Sequence, residues 1–580
     1  MKLLEKHFDL AFAAPDGIQR LRELILTLAM QGKLVPQDPK DQPASELLKA
    51  IEAEKQRLVK EGKIKQPKPL PEIKPDEVPY ELPQGWVWVR LGNISQIIGG
   101  FAYKSGCFQT ESTKQVLRLG NIRPDAIRLN ENPVFIDDAL GEATSEFCLL
   151  KNDILITMTG TRSKRDYLYT VRVEENPMNG VLLYINQRVG AIRLFFDSRY
   201  VNLALKVETL KDVIFSSATG SANQANIGIS NLREWMMPLP PLAEQRRIVA
   251  KIDQLMARCD ELEKLRGDRN QKRITIHTAA LDRLLTAKES SDFSTAWRFI
   301  TQHFGELYSV KENVAELRKA ILQLAVMGKL VPQDPKDEPA SELLKAIEAE
   351  KQRLVKEGKI KQSKPLPEIK PQQVPYELPK GWNWVRLGDI SQIIGGFAYK
   401  SNLFKTEGTR QVLRLGNIRP DLIRLNENPV FIDDSLGELT SELCLLKNDI
   451  LITMTGTRSK HDYLYTVRVE ENPMNGVLLY LNQRVGAIRL FSDARYMNLA
   501  LKVEILKDAI FSSATGSANQ ANIGINNLRE WIVPLPPLTE QHRIIAKTDR
   551  IMALCDQLDE QIDAATSKQT TLLNAVMTQV

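Results

Sequence analysis

The feature that most constrains this chain is an internal repeat that spans almost all of it. The segment GKLVPQDPKD at 32–41 recurs unchanged at 328–337, and KNDILITMTGTRSK at 151–164 recurs at 447–460. Every matching pair is separated by 296 positions, from about Ile18 with Val314 to the C-terminus. A period this long is a duplicated multi-part domain rather than a solenoid repeat. We therefore expect two copies of one architecture.

Each copy divides by composition into helical and strand-rich parts. Apolar spacings of three and four predict a helix at Ile18–Met30 that ends at Gly32, then a helix at Ser45–Glu61 with Ser45 as its N-cap. A Lys- and Pro-rich stretch follows, which we expect to run extended. From residue 86 to about 239, runs such as VWVRL, DILITM and VGAIRLF alternate with turn residues, which predicts a compact α/β domain.

A long helix follows each strand-rich part, beginning in the first copy at PLPPLAEQRRI. Here Ile248, Ile252, Leu255, Cys259 and Leu262 alternate four and three apart, which is the a/d spacing of a coiled coil. An ordinary core helix would show the same stripe. Because this helix leaves a complete domain and leads into the next one, the pattern favours a coiled-coil spacer.

Composition limits the class of protein only loosely. The formal net charge of +6 permits a polyanionic partner, although a solvated surface would also account for it. The five cysteines form no C-x-x-C pair, which indicates neither a disulfide framework nor a zinc site. The beginning, MKLLEKHFDLAFAAPDG, is a poor signal peptide, and no segment approaches the length of a membrane span. We therefore expect a cytoplasmic protein.

The sequence carries none of the catalytic motifs that we searched for. It has no G-x-x-x-x-G-K-[ST], G-x-G-x-x-G or H-E-x-x-H, and no Asn-Pro-Pro-aromatic tetrapeptide of the kind that amino-methyltransferases use. Of the five histidines, only His461 lies in a candidate binding loop, and its equivalent is Arg165. A histidine present in one copy cannot be a shared general base. The pattern favours binding over catalysis, with no catalytic residue and no metal ligand.

Polar, basic loops between the predicted strands are the candidate DNA contacts. Arg to guanine and Asn or Gln to adenine are the natural bidentate base contacts, while Lys and Ser suit phosphates. Solvated turns have similar composition, but flanking glycines and recurrence in both copies favour binding. The candidates are Tyr103, Lys104, Ser105, Thr161, Arg162, Lys164, Gln187, Arg188, Asn223 and Gln224 in the first copy, and Tyr399, Lys400, Ser401, Thr457, Arg458, Lys460, Gln483, Arg484, Asn519 and Gln520 in the second.

Two motifs frame each strand-rich domain and carry a family resemblance. PQGWVWVRLG at 83–92 opens the first domain and PLPPLAEQRRI at 238–248 closes it; PKGWNWVRLG and PLPPLTEQHRI do the same at 379–388 and 534–544. With these motifs, over essentially its whole length, the chain resembles the specificity (S) subunit of type I restriction–modification systems. In that family two target recognition domains each bind half of a bipartite DNA site. Conserved helices pair antiparallel, set the spacer and dock two methyltransferase subunits.

The resemblance implies an α+β fold with two α/β target recognition domains separated by long antiparallel coiled-coil helices. The expected divisions are a helical region and linker at 1–80, recognition domains at 81–240 and 377–536, central helices and linker at 241–376, and a C-terminal helix at 537–580. The implied partners are double-stranded DNA, two methyltransferase (M) subunits and motor–nuclease (R) subunits, with no membrane. S-adenosylmethionine, ATP and Mg²⁺ are expected on those subunits, and no cofactor on this chain.

The sequence departs from the family pattern because its two recognition domains match at roughly 85% of positions. Like domains related by a two-fold axis should bind like half-sites, which predicts an interrupted palindrome. The threats to this symmetry are Arg165 against His461, Gly106 against Asn402 and Cys107 against Leu403. Two other hypotheses stay open: a duplicated coiled-coil adaptor that binds protein, and a self-contained nuclease or methyltransferase. Salt-dependent binding to duplex DNA would argue against the first hypothesis, and a lack of activity in the purified chain would argue against the second.

Overall fold

The structure is a computed structural model that describes residues 12–221, 223–517 and 519–578. The segment Met1–Ala11, which holds most of the N-terminal stretch judged a poor signal peptide, lies outside the described residues, as do Ala222 and Ala518. The chain forms two compact units. Unit 1 comprises Met1–Arg269 and Ala565–Val580, and unit 2 comprises Asn270–Ala564.

The centre of unit 1 is a four-stranded antiparallel sheet. Its strands lie in the order Ser95–Gly99, Val189–Leu194, Ile154–Thr157 and Thr170–Arg172. Four strand pairs surround it: Val87–Arg90 with Met236–Leu239, Lys114–Leu117 with Leu182–Ile185, Ile122–Arg123 with Ala126–Ile127, and Thr159–Gly160 with Ala225–Asn226. The pair Lys114–Leu117 and Leu182–Ile185 is parallel, whereas the other three are antiparallel.

Both faces of this sheet are buried, which explains the near-continuous apolar strand DILITM. Ile154 and Ile156 belong to one core cluster, whereas Leu155 between them belongs to another, as the two-residue period of a strand requires. Five short helices accompany the sheet, at Leu91–Ile94, Asp138–Ala143, Arg199–Ala204, Glu208–Ser216 and Ile229–Glu234. The predicted α/β fold is confirmed.

Two helices precede the sheet, Gly17–Met30 and Ala44–Lys60. Gly32 follows the first with a φ of 68°, as predicted. The prediction of Ser45 as an N-cap is wrong, because the second helix already begins at Ala44. The backbone N–H of that buried alanine donates to the carbonyl of Gly85 at 2.9 Å, so a tertiary contact replaces the side-chain cap.

The long helix Leu242–Thr286 begins in unit 1 and ends in unit 2, and Leu538–Thr578 begins in unit 2 and ends in unit 1. In unit 1, Leu573 and Val576 are buried with Leu24 and Phe12. The predicted stripe is buried at Ile248, Ile252 and Cys259 and half-buried at Leu255. Leu262 is 46% exposed, so the buried stripe ends before that residue.

Unit 2 repeats the sheet with Ser391–Gly395, Val485–Leu490, Ile450–Thr453 and Thr466–Arg468 in the same order. Its pairs are Asn383–Arg386 with Ile532–Leu535, Arg410–Leu413 with Leu478–Leu481, Ile418–Arg419 with Leu422–Ile423, and Thr455–Gly456 with Ala521–Asn522. Its other helices are Ser290–Gln302, Phe304–Leu307, Lys311–Val326, Ala340–Lys356, Leu387–Ile390, Asp434–Leu439, Ala494–Ala500, Glu504–Ser512 and Ile525–Glu530.

Candidate nucleic-acid interface

The four candidate loops of each copy lie at the same end of its sheet. In unit 1, two strands end there at Gly99 and Thr157, and two begin there at Val189 and Thr170. The register pairs Gly99 with Gly190 and Thr157 with Val189, so these strand ends are level. Because neighbouring strands are antiparallel, loops that are far apart in sequence emerge side by side.

Backbone hydrogen bonds join three of these loops. The N–H of Phe101 donates to Ile185 O at 3.0 Å, and the N–H of Gln187 donates back to Phe101 O at 3.0 Å. The N–H of Met158 donates to Arg188 O at 3.0 Å. Gly100 permits this approach, because a Cβ there would overlap the backbone of Asn186. The loops therefore form one continuous surface, which we call the loop surface.

The fourth loop joins this surface through a short strand pair. Thr159–Gly160 pairs with Ala225–Asn226, and the N–H of Ile227 donates to Met158 O at 2.8 Å. Asn223 and Gln224 lie in the turn that leads into this pair and are exposed.

Seven of the ten candidates expose their side chains on the loop surface in both units, and Arg162 is exposed as well in unit 1. The seven combine cations, amides and a hydroxyl, the groups that contact phosphates and base edges. The candidates exposed in both units are Lys104, Ser105, Lys164, Gln187, Arg188, Asn223 and Gln224 in unit 1, and Lys400, Ser401, Lys460, Gln483, Arg484, Asn519 and Gln520 in unit 2.

Tyr103 and Tyr399 occupy a different environment from the exposed candidates. Tyr103 is 8% exposed, and its hydroxyl donates to Thr144 Oγ1 at 3.0 Å; Tyr399 makes the same bond to Thr440. Burial raises the pKa of the Tyr103 hydroxyl. These tyrosines anchor the loop beneath the surface, while the neighbouring Phe101 is 37% exposed.

Thr161 and Arg162 hold their own loop together. The backbone N–H and the hydroxyl of Thr161 both donate to the carboxylate of Asp166. Arg162 Nη2 donates to Ala218 O at 2.5 Å, and Arg458 donates to Ala514 O at 2.6 Å. The pair Thr457 and Asp462 repeats the first arrangement. These residues stabilise the loop geometry.

Arg165 and His461, the most conspicuous difference between the loops, make equivalent contacts. The Arg165 guanidinium lies 4.8 Å from the ring centroid of Phe215 and pairs with Asp212 at 2.7 Å. The His461 ring stacks on Phe511 with centroids 4.2 Å apart and planes 7° apart. Both side chains therefore cover equivalent phenylalanines, Phe215 in unit 1 and Phe511 in unit 2.

A cleft beside the loop surface was missed in the sequence. In unit 2 it has a volume of about 320 Å³ and joins two candidates, Gln483 and Arg484, to residues that were not candidates. Its other lining residues are Arg414, Leu415, Gly416, Asn417, Glu427, Asn428 and Asn482. The signal was present, because VLRLGNIRPD recurs unchanged and places Arg, Gly and Asn directly after a strand. We call this the arginine cleft.

The arginine cleft carries excess positive charge. Its one carboxylate, Glu427, accepts a hydrogen bond from Arg424 at 3.0 Å, which lowers the pKa of Glu427. Arg419 lies 3.8 Å from the same carboxylate. Arg414 and Arg484 add two further charges, so guanidinium groups outnumber carboxylates around the cleft. Such an environment attracts a polyanion.

The described residues contain no group of three or more His, Cys, Asp and Glu side chains arranged to hold a metal ion. None of the helices within those ranges is long and apolar enough to cross a bilayer.

Comparison with known proteins gives consistent results. The family model described as the type I restriction modification DNA specificity domain matches residues 83–270 and 379–565. The type I restriction enzyme EcoAI specificity subunit of Escherichia coli is 34% identical, over 97% of this chain and 93% of that protein, and the EcoEI specificity subunit of the same organism is 33% identical over the same shares. A solved structure of the HsdS subunit from Thermoanaerobacter tengcongensis, 17% identical with a TM-score of 0.41, covers 86% of this chain and 97% of that one.

Proposed function

The chain belongs to the type I restriction–modification DNA specificity family, and we propose that each of its two units binds one half of a bipartite DNA site through its loop surface. The observation that carries this proposal is the identical row of exposed Lys, Arg, Gln and Asn side chains at one end of the sheet in both units. We place the recognition domains at 81–240 and 377–536, with helical regions at 1–80, 241–376 and 537–580. In this role the chain supplies sequence preference in the cytoplasm while partner subunits perform the chemistry.

We further propose that the two half-sites are alike, so that the complete site is an interrupted palindrome. The seven candidates that are exposed in both units are identical between them. Arg165 and His461 cover equivalent phenylalanines, which supports equal loop geometry despite the substitution. Identical surfaces related by a two-fold axis bind identical half-sites on opposite strands.

The helices would dock the methyltransferase subunits. An apolar groove in unit 2, which we call the Trp297 groove, supports this idea. It has a volume of about 450 Å³ and lies between Ser290–Gln302, Lys311–Val326 and Leu538–Thr578. Trp297 is 45% exposed and Leu554 is 56% exposed at its rim. Exposed aromatic clusters of this kind are typical of protein interfaces.

The assembled complex would methylate adenine and, with motor–nuclease subunits, cleave unmodified DNA. We propose two methyltransferase subunits per chain, which bind S-adenosylmethionine, and motor subunits that use ATP and Mg²⁺. The catalytic groups would belong to those subunits.

The test is to co-express the chain with its methyltransferase subunits and to sequence methylated bases in a library of random duplexes. We expect one bipartite sequence with two like half-sites and an unmethylated gap. Binding of that duplex should weaken steeply as salt rises, because phosphate contacts release counterions. Two unlike half-sites would refute the palindrome alone. A complex that prefers no duplex over random competitor would refute the function.

A further inference from the structure

The arginine cleft lies beyond the carboxyl ends of two parallel strands. Arg410–Leu413 and Leu478–Leu481 run parallel, with Leu413 opposite Leu481. After these residues the two strands diverge: one continues into the turn Leu415–Asn417, and the other into the loop that contains Gln483 and Arg484. The divergence opens a cleft whose polar side chains are held by both strands. Crevices at this position are where α/β sheets bind ligands.

Hydrogen bonds hold the walls of the cleft before any ligand arrives. Asn417, which is 2% exposed, donates to the carbonyls of Arg424 at 2.9 Å and Glu427 at 2.8 Å. Arg414 Nη2 donates to Asn428 O at 2.5 Å, which fixes that guanidinium on the wall. In unit 1 Asn121 and Arg118 make the same contacts. The cleft is therefore preorganised in both units.

The side chains at the mouth of the cleft have unused hydrogen-bonding groups. Gln483 and Arg484 are exposed and, among the described residues, their side chains make no hydrogen bond or ion pair. Gln187 and Arg188 have the same character in unit 1. An arginine can bind guanine with two parallel hydrogen bonds, and a glutamine can bind adenine in the same way.

The fold does not require glycine at position 120 or at position 416. A Cβ at either position would meet no atom within 4 Å, and neither residue has a positive φ. A larger side chain at Gly416, which lines the cleft, would meet no neighbouring atom at its Cβ.

We propose that the arginine cleft is the base-reading site of each recognition domain, in which Arg188 and Arg484 each bind a guanine edge. Arg118 and Arg414 position the DNA backbone beside that guanine. This inference rests on the proposed function and adds which residues set the sequence preference. Since the same wall contacts recur around Arg118 in unit 1, we assign one cleft to each unit, so that each arginine governs one half-site.

The test uses the full chain with its methyltransferase subunits and the variants Arg188→Lys and Arg484→Lys. Lysine keeps the charge but cannot make the bidentate contact. Arg188→Lys should reduce discrimination at one position of one half-site by about 10- to 100-fold. Arg484→Lys should affect the symmetry-related position, and the double variant both. The salt dependence of nonspecific binding should not change.

Arg199→Lys is the matched control, because Arg199 follows the opposite end of the same sheet and pairs with Asp197 there. Arg199→Lys should discriminate between bases in the half-site as strongly as the parental chain does. The independent variants Gly120→Val and Gly416→Val should abolish preference for one half-site at an unchanged melting temperature.

If the parental complex prefers one sequence but the lysine and valine variants keep its discrimination at every position, the cleft assignment is overturned and the proposed function stands. If the parental complex itself prefers no sequence, the proposed function fails first.

Discussion

At the residue scale, one buried arginine pairs with a carboxylate in unit 1, whereas in unit 2 a glutamine stands in place of that acid. Arg90, which is 4% exposed, pairs with Glu77 at 3.0 Å. In unit 2 the equivalent of Glu77 is Gln373, and Arg386 keeps the carbonyl contacts that Arg90 also makes, here to Pro367 and Glu530 at 2.6 and 2.8 Å. Unit 2 also has a carboxyl group at Asp389, where the first copy has Asn93; burial raises the pKa of Asp389, and the charges of Lys351 and Arg386 act against that rise.

We predict that Glu77→Gln lowers the melting temperature at neutral pH. Hydrogen bonds from the Lys74 backbone and from Arg90 lower the pKa of Glu77, so its ionised form favours the folded state. That contribution is present above the pKa of the unfolded chain and is lost as pH falls through the folded pKa. The difference between variant and parent should therefore shrink in acid. Thermal unfolding between pH 7 and about pH 3 measures this, and the exposed Glu72→Gln is the control.

A second residue-scale prediction concerns the histidine that differs between the loops. Because Arg165 and His461 each cover a phenylalanine, Arg165→His and His461→Arg should leave the methylated sequence unchanged. Methylation sequencing of both variants checks this. A new base preference in one half-site would mean that position 165 or 461 contacts DNA directly.

At the scale of elements, the buried side chain of Asn417 joins the turn Leu415–Asn417 of the arginine cleft to the loop around Arg424 and Glu427. Asn417→Ala removes the donor to two carbonyls and leaves them without that partner. We predict a loss of about 1–3 kcal/mol in the free energy of unfolding, together with weaker sequence discrimination. Denaturant unfolding measures the first effect. The exposed Asn426→Ala should stay within about 0.5 kcal/mol of the parent.

At the scale of the whole molecule, each unit is completed by the end of a long helix that begins in the other copy. Leu573 is the repeat equivalent of His277, which lies 296 positions earlier. Leu573 is fully buried in unit 1 against the helix Gly17–Met30. We predict that Leu573→Ala costs about 2–5 kcal/mol of unit 1 stability. Hydrogen exchange of Gly17–Met30 should rise. Leu554→Ala, at a residue 56% exposed, should cost less than about 0.5 kcal/mol. If Leu573→Ala and Leu554→Ala lowered the stability equally, Leu573 would not be packed in unit 1 as described.

Much of the fold could be predicted because its signals are local or repeated. The strand DILITM, the turn at Gly32 and the start of the long helix each depend on a few adjacent residues. The repeat itself needed only comparison of the two copies. The start of the second helix at Ala44 could not be predicted, because the carbonyl of Gly85, 41 positions away, accepts its first N–H in place of a side-chain cap.

Part of the candidate site could also be predicted, because its signals are local in the sequence. Polar residues beside glycines mark loops, and eight candidates in unit 1 and seven in unit 2 are exposed. Tyr103 looks like a loop residue in sequence, but its ring is buried. The arginine cleft was missed because its walls come from segments about 70 positions apart, around Arg118 and Arg188.

By itself, the sequence determined that this protein is a duplication, which elements each copy contains, and which loops are polar, since periodicity and identity are written along the chain. Only the tertiary structure decided which loops meet, which tyrosines lie beneath them, and where a cleft opens. The physical reason is strand register: antiparallel and parallel pairing brings distant segments to one edge, and no local pattern specifies that neighbour.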